Sequence, residues 1–175
     1  MKFFKNNYII SLEGIDGSGK TTQCKLLLDF LKKNNIKVRI IGRRFIFSTL
    51  ISLFFSTDVI ISDRYIHTLH IYLNHKGVKN KLVKKILNMF EKPKIVFHLD
   101  IDIKEAKKRI EKRGKRKEKY ETTEGLRIFY NGYNKCFEKG NKVYKIYKIN
   151  AKNKKQVIHK DISRITLNEI KKLKN

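Results

Sequence analysis

A short apolar stretch that runs directly into a glycine-rich turn is the feature that most constrains how this chain folds. The stretch is Tyr8–Glu13, and the turn reads Gly14-Ile15-Asp16-Gly17-Ser18-Gly19-Lys20-Thr21. Apolar residues then recur at helical spacing from about Lys20 to Asn34. A strand that enters a helix through the pattern G-x-x-x-x-G-K-[ST] forms a phosphate-binding loop, the P-loop. The sequence therefore predicts a nucleotide site at this turn.

The residue types in the turn explain how it binds phosphate. Glycines let the backbone wrap closely around the anion, so that successive N–H groups and the helix N-terminus face it. Lys20 is expected to reach the β and γ phosphates of ATP, and the Thr21 hydroxyl is expected to bind Mg²⁺. The predicted nucleotide contacts are Gly14, Ile15, Asp16, Gly17, Ser18, Gly19, Lys20, Thr21 and Thr22.

Apolar runs that lack polar alternation are separated by helical patterns along the rest of the chain. Strands are predicted at Tyr8–Glu13, Ile36–Ile41, Asp58–Ser62, Lys94–Leu99 and Val143–Ile149. Helices are predicted at Lys20–Asn34, Thr68–Asn74, Lys81–Phe90, Ile103–Arg113, Thr123–Glu138 and Lys154–Leu173. This alternation predicts an α/β fold, the three-layer P-loop NTPase fold, with a five-stranded parallel sheet in the order 2-3-1-4-5 flanked by helices. The 175 residues are expected to form a single domain.

The triplet Asp63-Arg64-Tyr65 follows the third predicted strand. Ligands of open α/β sheets bind at the carboxyl ends of the strands, and the triplet lies at such an end. Asp63 is predicted to hold Mg²⁺ through water or to position the surroundings of an acceptor phosphate. Arg64 is predicted to clamp a phosphate with two hydrogen bonds. The alternative is a purely structural Asp-Arg pair.

A basic segment at about residues 112–120 follows the fourth strand and its helix. It carries Lys112, Arg113, Lys115, Arg116, Lys117 and Lys119 around Gly114. Phosphoryl transfer needs cations over the γ phosphate after water is expelled, and a mobile loop supplies them by closing as a lid. A solvated run of charges without a specific role is the alternative.

The composition narrows the classes of partner and compartment. The net charge is +26, but the excess is spread over every segment, so it predicts non-specific affinity for polyanions at low salt and no specific nucleic-acid partner. The longest uncharged stretch, Phe45–Thr57, is too short for a membrane span, and no membrane association is expected. Cys24 and Cys136 lack a partner spacing, which favours reduced cysteines in a cytoplasmic protein.

A family resemblance rests on three of these features. They are the run Glu13-Gly14-Ile15-Asp16-Gly17-Ser18-Gly19-Lys20-Thr21-Thr22-Gln23, the triplet Asp63-Arg64-Tyr65, and the strand and helix that end in Arg109–Gly114. Together they resemble thymidylate kinase, a P-loop nucleoside monophosphate kinase. The resemblance implies transfer of phosphate from ATP, with Mg²⁺, to a nucleoside monophosphate, most simply dTMP to dTDP. It also allows a homodimer, and the oligomeric state stays open.

The resemblance also implies roles for residues of the acceptor side. Asp16 would approach the sugar of the acceptor, Arg64 would contact its phosphate, and Tyr72 would pack near the deoxyribose and disfavour a 2′-hydroxyl. Gly17 stands where some members carry an arginine, which implies that the catalytic cation comes from the lid, from Arg113 or Arg116. The predicted catalytic residues are Lys20, Asp63, Arg113 and Arg116.

The chain departs from the family pattern on the acceptor side. Only Gly42–Thr57 fills the place of a longer acceptor-binding region, so Arg43 or Arg44 would stand in for a phosphate-binding arginine. A substitute for the base-stacking aromatic would come from Phe45, Phe47, Phe54 or Phe55, and Leu73 replaces a glutamine. Two alternatives therefore stay open. One is a P-loop kinase for a different nucleoside, nucleotide or small metabolite, and the other is a nucleotide-binding module without catalysis.

Overall fold

The alternation of apolar runs and helical patterns produces five strands and six helices in the part of the chain that the structure describes. The computed structural model describes residues 8–42, 59–114, 118–138 and 143–172. The strands are β1 Tyr8–Glu13, β2 Val38–Ile41, β3 Val59–Asp63, β4 Ile95–Asp100 and β5 Lys145–Asn150. The helices are α1 Lys20–Lys33, α2 Ile66–His75, α3 Lys81–Met89, α4 Ile103–Lys112, α5 Thr123–Phe137 and α6 Lys155–Lys171.

The five strands form one parallel sheet in the order β2-β3-β1-β4-β5. The predicted fold and strand order are confirmed. The predicted bounds differ only at the ends of elements. β3 extends to Asp63 and α2 begins earlier than predicted, at Ile66, so the loop that contains Arg64 is very short. This short loop holds Arg64 close to the end of the sheet.

The central strands are buried on both faces, as their unbroken apolar runs predict. On β1, Ile10 and Leu12 belong to the larger core cluster, whereas Ile9 belongs to a smaller cluster on the opposite face. α1 packs against α6, and α2 packs against α5. None of the described helices is long and apolar enough to cross a bilayer.

Three helices begin at a side chain that caps their first turn. Asn80 Oδ1 accepts a hydrogen bond from Leu82 N in α3, and Asp102 Oδ1 accepts one from Glu105 N in α4. Thr122 Oγ1 accepts one from Gly125 N in α5. Each cap satisfies an N–H group that has no partner within its helix. No described side chain caps α1, α2 or α6.

The contact between α2 and α5 depends on a glycine. A Cβ atom added to Gly132 of α5 would lie 2.6 Å from Ile71 Cγ2 of α2. We expect Gly132→Ala to lower the free energy of unfolding by about 1–3 kcal/mol through overpacking, although alanine favours helix more than glycine does. Urea-induced unfolding measures this change.

A double-mutant cycle tests the cause of that change. Ile71→Ala removes the atoms that the new methyl group would meet, so it should destabilise the Gly132→Ala protein less than it destabilises the wild type. Strictly additive effects would contradict steric crowding between these two residues.

Candidate active site

The P-loop is confirmed as a turn between β1 and α1 whose shape requires glycine. Gly14 has φ +145° and Gly17 has φ +83°. A Cβ atom at Gly14 would lie 2.6 Å from the carbonyl oxygen of Leu99, and one at Gly17 would lie 2.5 Å from that of Ala106. Real Cβ atoms do not approach carbonyl oxygens so closely. The loop therefore packs directly against the end of β4 and the beginning of α4.

The N-terminus of α1 faces this loop without a competing side chain. α1 begins at Lys20 after Gly19, with no side-chain cap and no acidic residue in its first turn. Free N–H groups and the positive end of the helix dipole favour an anion at this position. The loop and the helix end together form a site suited to phosphate.

Lys20 is folded back onto the loop. Its Nζ atom donates to the carbonyl oxygen of Ile15 at 2.7 Å and lies 3.4 Å from Ser18 Oγ. Burial lowers the pKa of Lys20, the charge of Arg64 lowers it further, and nearby carboxylates only partly offset this, so that the pKa is about 8. A phosphate close to Nζ would stabilise the charged amine.

Thr21 and Asp63 meet at the carboxyl ends of β1 and β3. Thr21 Oγ1 donates a hydrogen bond to Asp63 Oδ2 at 2.5 Å. A hydroxyl and a carboxylate are oxygen ligands of the kind that Mg²⁺ accepts together with water and phosphate oxygens. Within the described ranges no group of three or more His, Cys, Asp or Glu residues is placed to hold a metal ion. The donor set therefore fits a Mg²⁺ ion that is bound mainly through nucleotide and water.

The backbone at Arg64 is strained. Arg64 has φ +73°, a conformation that costs a residue other than glycine on the order of 1–3 kcal/mol. Arg64 N donates to the carbonyl oxygen of Leu12 at 3.1 Å, and the Arg64 carbonyl oxygen accepts from Ser62 Oγ at 2.6 Å. These bonds hold the turn and direct the side chain of Arg64 toward the P-loop.

The guanidinium group of Arg64 joins the loop to α5. NH1 donates to the carbonyl oxygen of Gly14 at 3.1 Å and to the hydroxyl of Tyr133 at 3.0 Å, and NH2 donates to Asp16 Oδ1 at 2.5 Å. Burial opposes its charge, but Tyr133 and Asp16 more than compensate and raise the pKa of Arg64 above its usual range. Within the described part of the chain these bonds use three of the five N–H donors, so donors are left for an anion.

Aromatic side chains lie beside this arginine. Tyr72 of α2, which is 36% exposed, meets Tyr120 edge to face with 5.9 Å between ring centroids. Tyr120 meets Phe129 of α5 at 5.4 Å, and the guanidinium carbon of Arg64 lies 5.8 Å from the centre of the Phe129 ring. A series of ring contacts therefore connects Tyr72 to Arg64, which in turn is bonded to Asp16.

The two predicted lid arginines differ in what the structure describes. Arg113 follows α4, and its NH2 group donates to both carboxylate oxygens of Glu121 at 2.8 and 2.7 Å. Glu121 is 2% exposed and also accepts a hydrogen bond from Glu118 N at 2.8 Å. Arg116 lies outside the described residues, as do Arg43, Arg44 and the four phenylalanines from Phe45 to Phe55. Closure of segment 112–120 stays a prediction.

Two residues of the site were missed by the sequence reasoning. Tyr133 lies on the predicted helix Thr123–Glu138 without being singled out there, yet its hydroxyl accepts from Arg64. Glu13, the last residue of β1, is fully buried and bonded to Tyr65 N and to Thr68 of α2. A carboxylate at the end of a buried strand was the one available signal for Glu13.

Comparison with known proteins identifies the family. The sequence model described as thymidylate kinase matches residues 42–162. A protein named "Probable thymidylate kinase" from Sulfurisphaera tokodaii is 34% identical, over 59% of this chain and 68% of its own length. A protein of the same name from Methanococcus maripaludis is 31% identical, over 73% of this chain and 76% of its own length.

A third relative is aligned over nearly its whole length. "Probable thymidylate kinase 1" from Saccharolobus solfataricus is 29% identical over 191 aligned residues, which cover 91% of this chain and 97% of the relative. Because that alignment is longer than the 175-residue chain, it contains gaps in this chain. By its sequence, the chain belongs to the thymidylate kinase family.

Proposed function

We propose that this chain transfers the γ-phosphoryl group of ATP to dTMP, giving ADP and dTDP. The observation that carries the proposal is the meeting of three groups at one edge of the sheet: Lys20 in its glycine loop, the Thr21–Asp63 pair, and Arg64 bonded to Asp16. The first two groups suit a nucleoside triphosphate, and the third suits the phosphate and sugar of an acceptor. Membership of the thymidylate kinase family supports dTMP as that acceptor.

The donor side of the reaction is assigned to the P-loop. Backbone N–H groups of Gly14–Thr21, with Thr22 behind them, would surround the β and γ phosphates of ATP. Lys20 would exchange its bond to the Ile15 carbonyl oxygen for a bond to a phosphate oxygen. The charged amine of Lys20 would thus lie against the loop in the free protein and against the phosphate when the nucleotide is bound.

Thr21 and Asp63 would hold the metal ion. A Mg²⁺ ion bound at this position supplies positive charge to the phosphate oxygens and orients them. Asp63 would hold the ion directly or through water, and the Thr21 hydroxyl would turn from Asp63 to take part. The short contact between these two side chains supports a shared task at this position.

The acceptor side is assigned to Asp16, Arg64 and Tyr72, with Arg43 as a further phosphate ligand. Arg64 would bind the acceptor phosphate through its unused N–H donors, while Asp16 keeps its orientation and approaches the sugar. The acceptor phosphate already carries the attacking oxygen, so no protein base is needed. Rate acceleration then comes from positioning and from neutralised charge.

The lid is assigned to residues 112–120, in a single domain that spans 1–175. Arg113 is bonded to buried Glu121, so we propose that it fixes the base of the lid, and that Arg116 supplies the cation over the γ phosphate. If Arg113 acts instead, it must first leave Glu121. We place the reaction in the cytoplasm because both cysteines are free. The family resemblance allows a homodimer.

A different acceptor is the second candidate, because only Gly42–Thr57 fills the place of the family's longer acceptor-binding region and Leu73 stands where the family pattern has a glutamine. We expect selective turnover of dTMP in a coupled ADP-release assay with dTMP, dUMP, dCMP, dGMP and UMP. Turnover of another monophosphate in preference to dTMP would favour the second candidate. ATP binding without turnover of any acceptor would favour a non-catalytic module.

Removal of the Lys20 amine tests the donor assignment. We expect Lys20→Ala to abolish ADP release with ATP and dTMP, because the P-loop then lacks the amine that neutralises the β and γ phosphates. Lys25→Ala, on the exposed face of the same helix, is the matched control and should retain wild-type turnover. Full activity of Lys20→Ala would reject the assignment.

The lowered pKa of Lys20 predicts how ATP affinity changes with pH. Above pH 8 the amine is increasingly neutral in the free protein, so phosphate binding must be coupled to uptake of a proton. ATP affinity should fall with a slope approaching about tenfold per pH unit. Calorimetric titrations in two buffers of different ionisation enthalpy measure the proton uptake. Lys20→Met lacks the titrating amine, so it should bind ATP weakly and with an affinity that does not follow this slope. A wild-type protein whose ATP affinity does not change from pH 7 to 9.5 would contradict the expectation.

A further inference from the structure

Glu13 lies between the P-loop and α2, and its contacts reach both sides of Arg64. We propose that Glu13 is a positioning residue that holds Arg64 and the first turn of α2 in the geometry that binds the acceptor monophosphate. The inference rests on the proposed function, in which Arg64 binds the acceptor phosphate.

The carboxylate of Glu13 is enclosed and surrounded by polar groups. Its side chain has no solvent exposure. Its contacts are Ser11 Oγ at 3.0 Å, Tyr65 N at 2.8 Å and His67 Nδ1 at 3.3 Å on Oε1, and Thr68 Oγ1 at 2.7 Å and Tyr133 OH at 3.1 Å on Oε2. These partners come from β1, α2, α5 and the loop that precedes α2, so one buried charge joins all four.

The charge of Glu13 is stable in this environment. Burial by itself would raise the pKa of its carboxyl group, but the hydrogen bonds from His67, Thr68 and Tyr65 N outweigh burial and bring the pKa to about 2. A buried anion is tolerated only when its donors are in place. The buried charge of Glu13 therefore favours the arrangement in which all of these donors face the carboxylate.

Two of these donors are directly linked to Arg64. The N–H group of Tyr65, which donates to Glu13, belongs to the peptide that follows Arg64 and so restrains its left-handed backbone conformation. The hydroxyl of Tyr133, which donates to Glu13, also accepts from NH1 of Arg64. Glu13 thus fixes both the main chain and the guanidinium of the arginine without contacting it.

The donor side does not share these contacts. The Lys20 amine bonds to the Ile15 carbonyl oxygen and to Ser18, and Thr21 bonds to Asp63. The side chain of Glu13 touches none of these groups in its described contacts, and its charge is the smallest of the named influences on the pKa of Lys20. A change at Glu13 should therefore weaken binding of the acceptor more than it weakens binding of ATP.

Two variants interrupt the network at different points. Glu13→Gln keeps the size of the side chain but removes its charge and one of its two acceptor oxygens. Tyr133→Phe removes only the hydroxyl that joins Glu13 to Arg64 and leaves the ring in place. Tyr130→Phe, on the same helix, is the matched control.

The experiment measures kcat, the KM for dTMP and for ATP, the affinity for ATP by calorimetry, and urea-induced unfolding of each protein. We expect the KM for dTMP to rise about tenfold or more in Glu13→Gln and several-fold in Tyr133→Phe, with the affinity for ATP within about twofold of wild type. Tyr130→Phe should match the wild type in every measurement. If the role of Glu13 were merely structural, binding of ATP and of dTMP would weaken together, in proportion to the loss of stability.

The outcomes separate this inference from the function on which it rests. A wild-type protein that phosphorylates no monophosphate rejects both. An active wild type that prefers another monophosphate leaves the comparison intact with that acceptor. If Glu13→Gln does not fold, Tyr133→Phe decides alone. Parallel loss of both ligands, or an unchanged acceptor KM in the folded variants, overturns the role of Glu13 and leaves the proposed function standing.

Discussion

The parallel pairing of β1 with β3 is the constraint on which the rest of this site depends. Leu12 is paired with Asp63, so the two strands end side by side. The P-loop and the loop that contains Arg64 therefore leave the sheet at the same edge. This is why Thr21 meets Asp63 and why Arg64 reaches the Gly14 carbonyl oxygen, although each pair is far apart along the chain. The pairing of β1 with β4 adds the end of β4, against which the loop is packed. The site is a property of three adjacent strand ends.

The fold and the polar residues at the strand ends could be predicted from the sequence, because both are written in short local patterns. An apolar run of five or six residues predicts a strand, and a glycine-rich turn between a strand and a helix predicts the loop. Gly14–Thr21, Asp63 and Arg64 therefore appear at the places expected for them. Their roles with bound nucleotides are a separate matter, on which the proposed experiments bear.

Tertiary contacts were beyond that reasoning. Tyr133 occupies a core position of α5, and nothing in helical spacing distinguishes a tyrosine that buries its ring alone from one whose hydroxyl meets Arg64 across 69 residues. The bond of Arg113 to Glu121 is similar, because Glu121 lies in an irregular segment where no period predicts a partner. Gly42–Thr57 gave neither periodicity nor a clear motif, and the residues from Arg43 onward in it lie outside the described part of the chain.

The charges of the site differ in kind from the charge of the whole chain. The net charge of +26 comes from residues spread along the sequence. Lys20 and Arg64 are instead buried close together, and the repulsion between them contributes to the lowered pKa of Lys20. Asp16 and the loop carbonyl oxygens offset this repulsion in the absence of ligand. The negative charge of a bound phosphate would reduce the repulsion between Lys20 and Arg64 further.

The contact between Gly17 and the carbonyl oxygen of Ala106 limits how such a loop can diverge. Any side chain at position 17 would have to push away the first turn of α4, and the left-handed backbone there adds strain. An arginine at position 17 would therefore need a compensating shift of the β4–α4 connection, and as long as the loop keeps this packing the position is open to glycine alone.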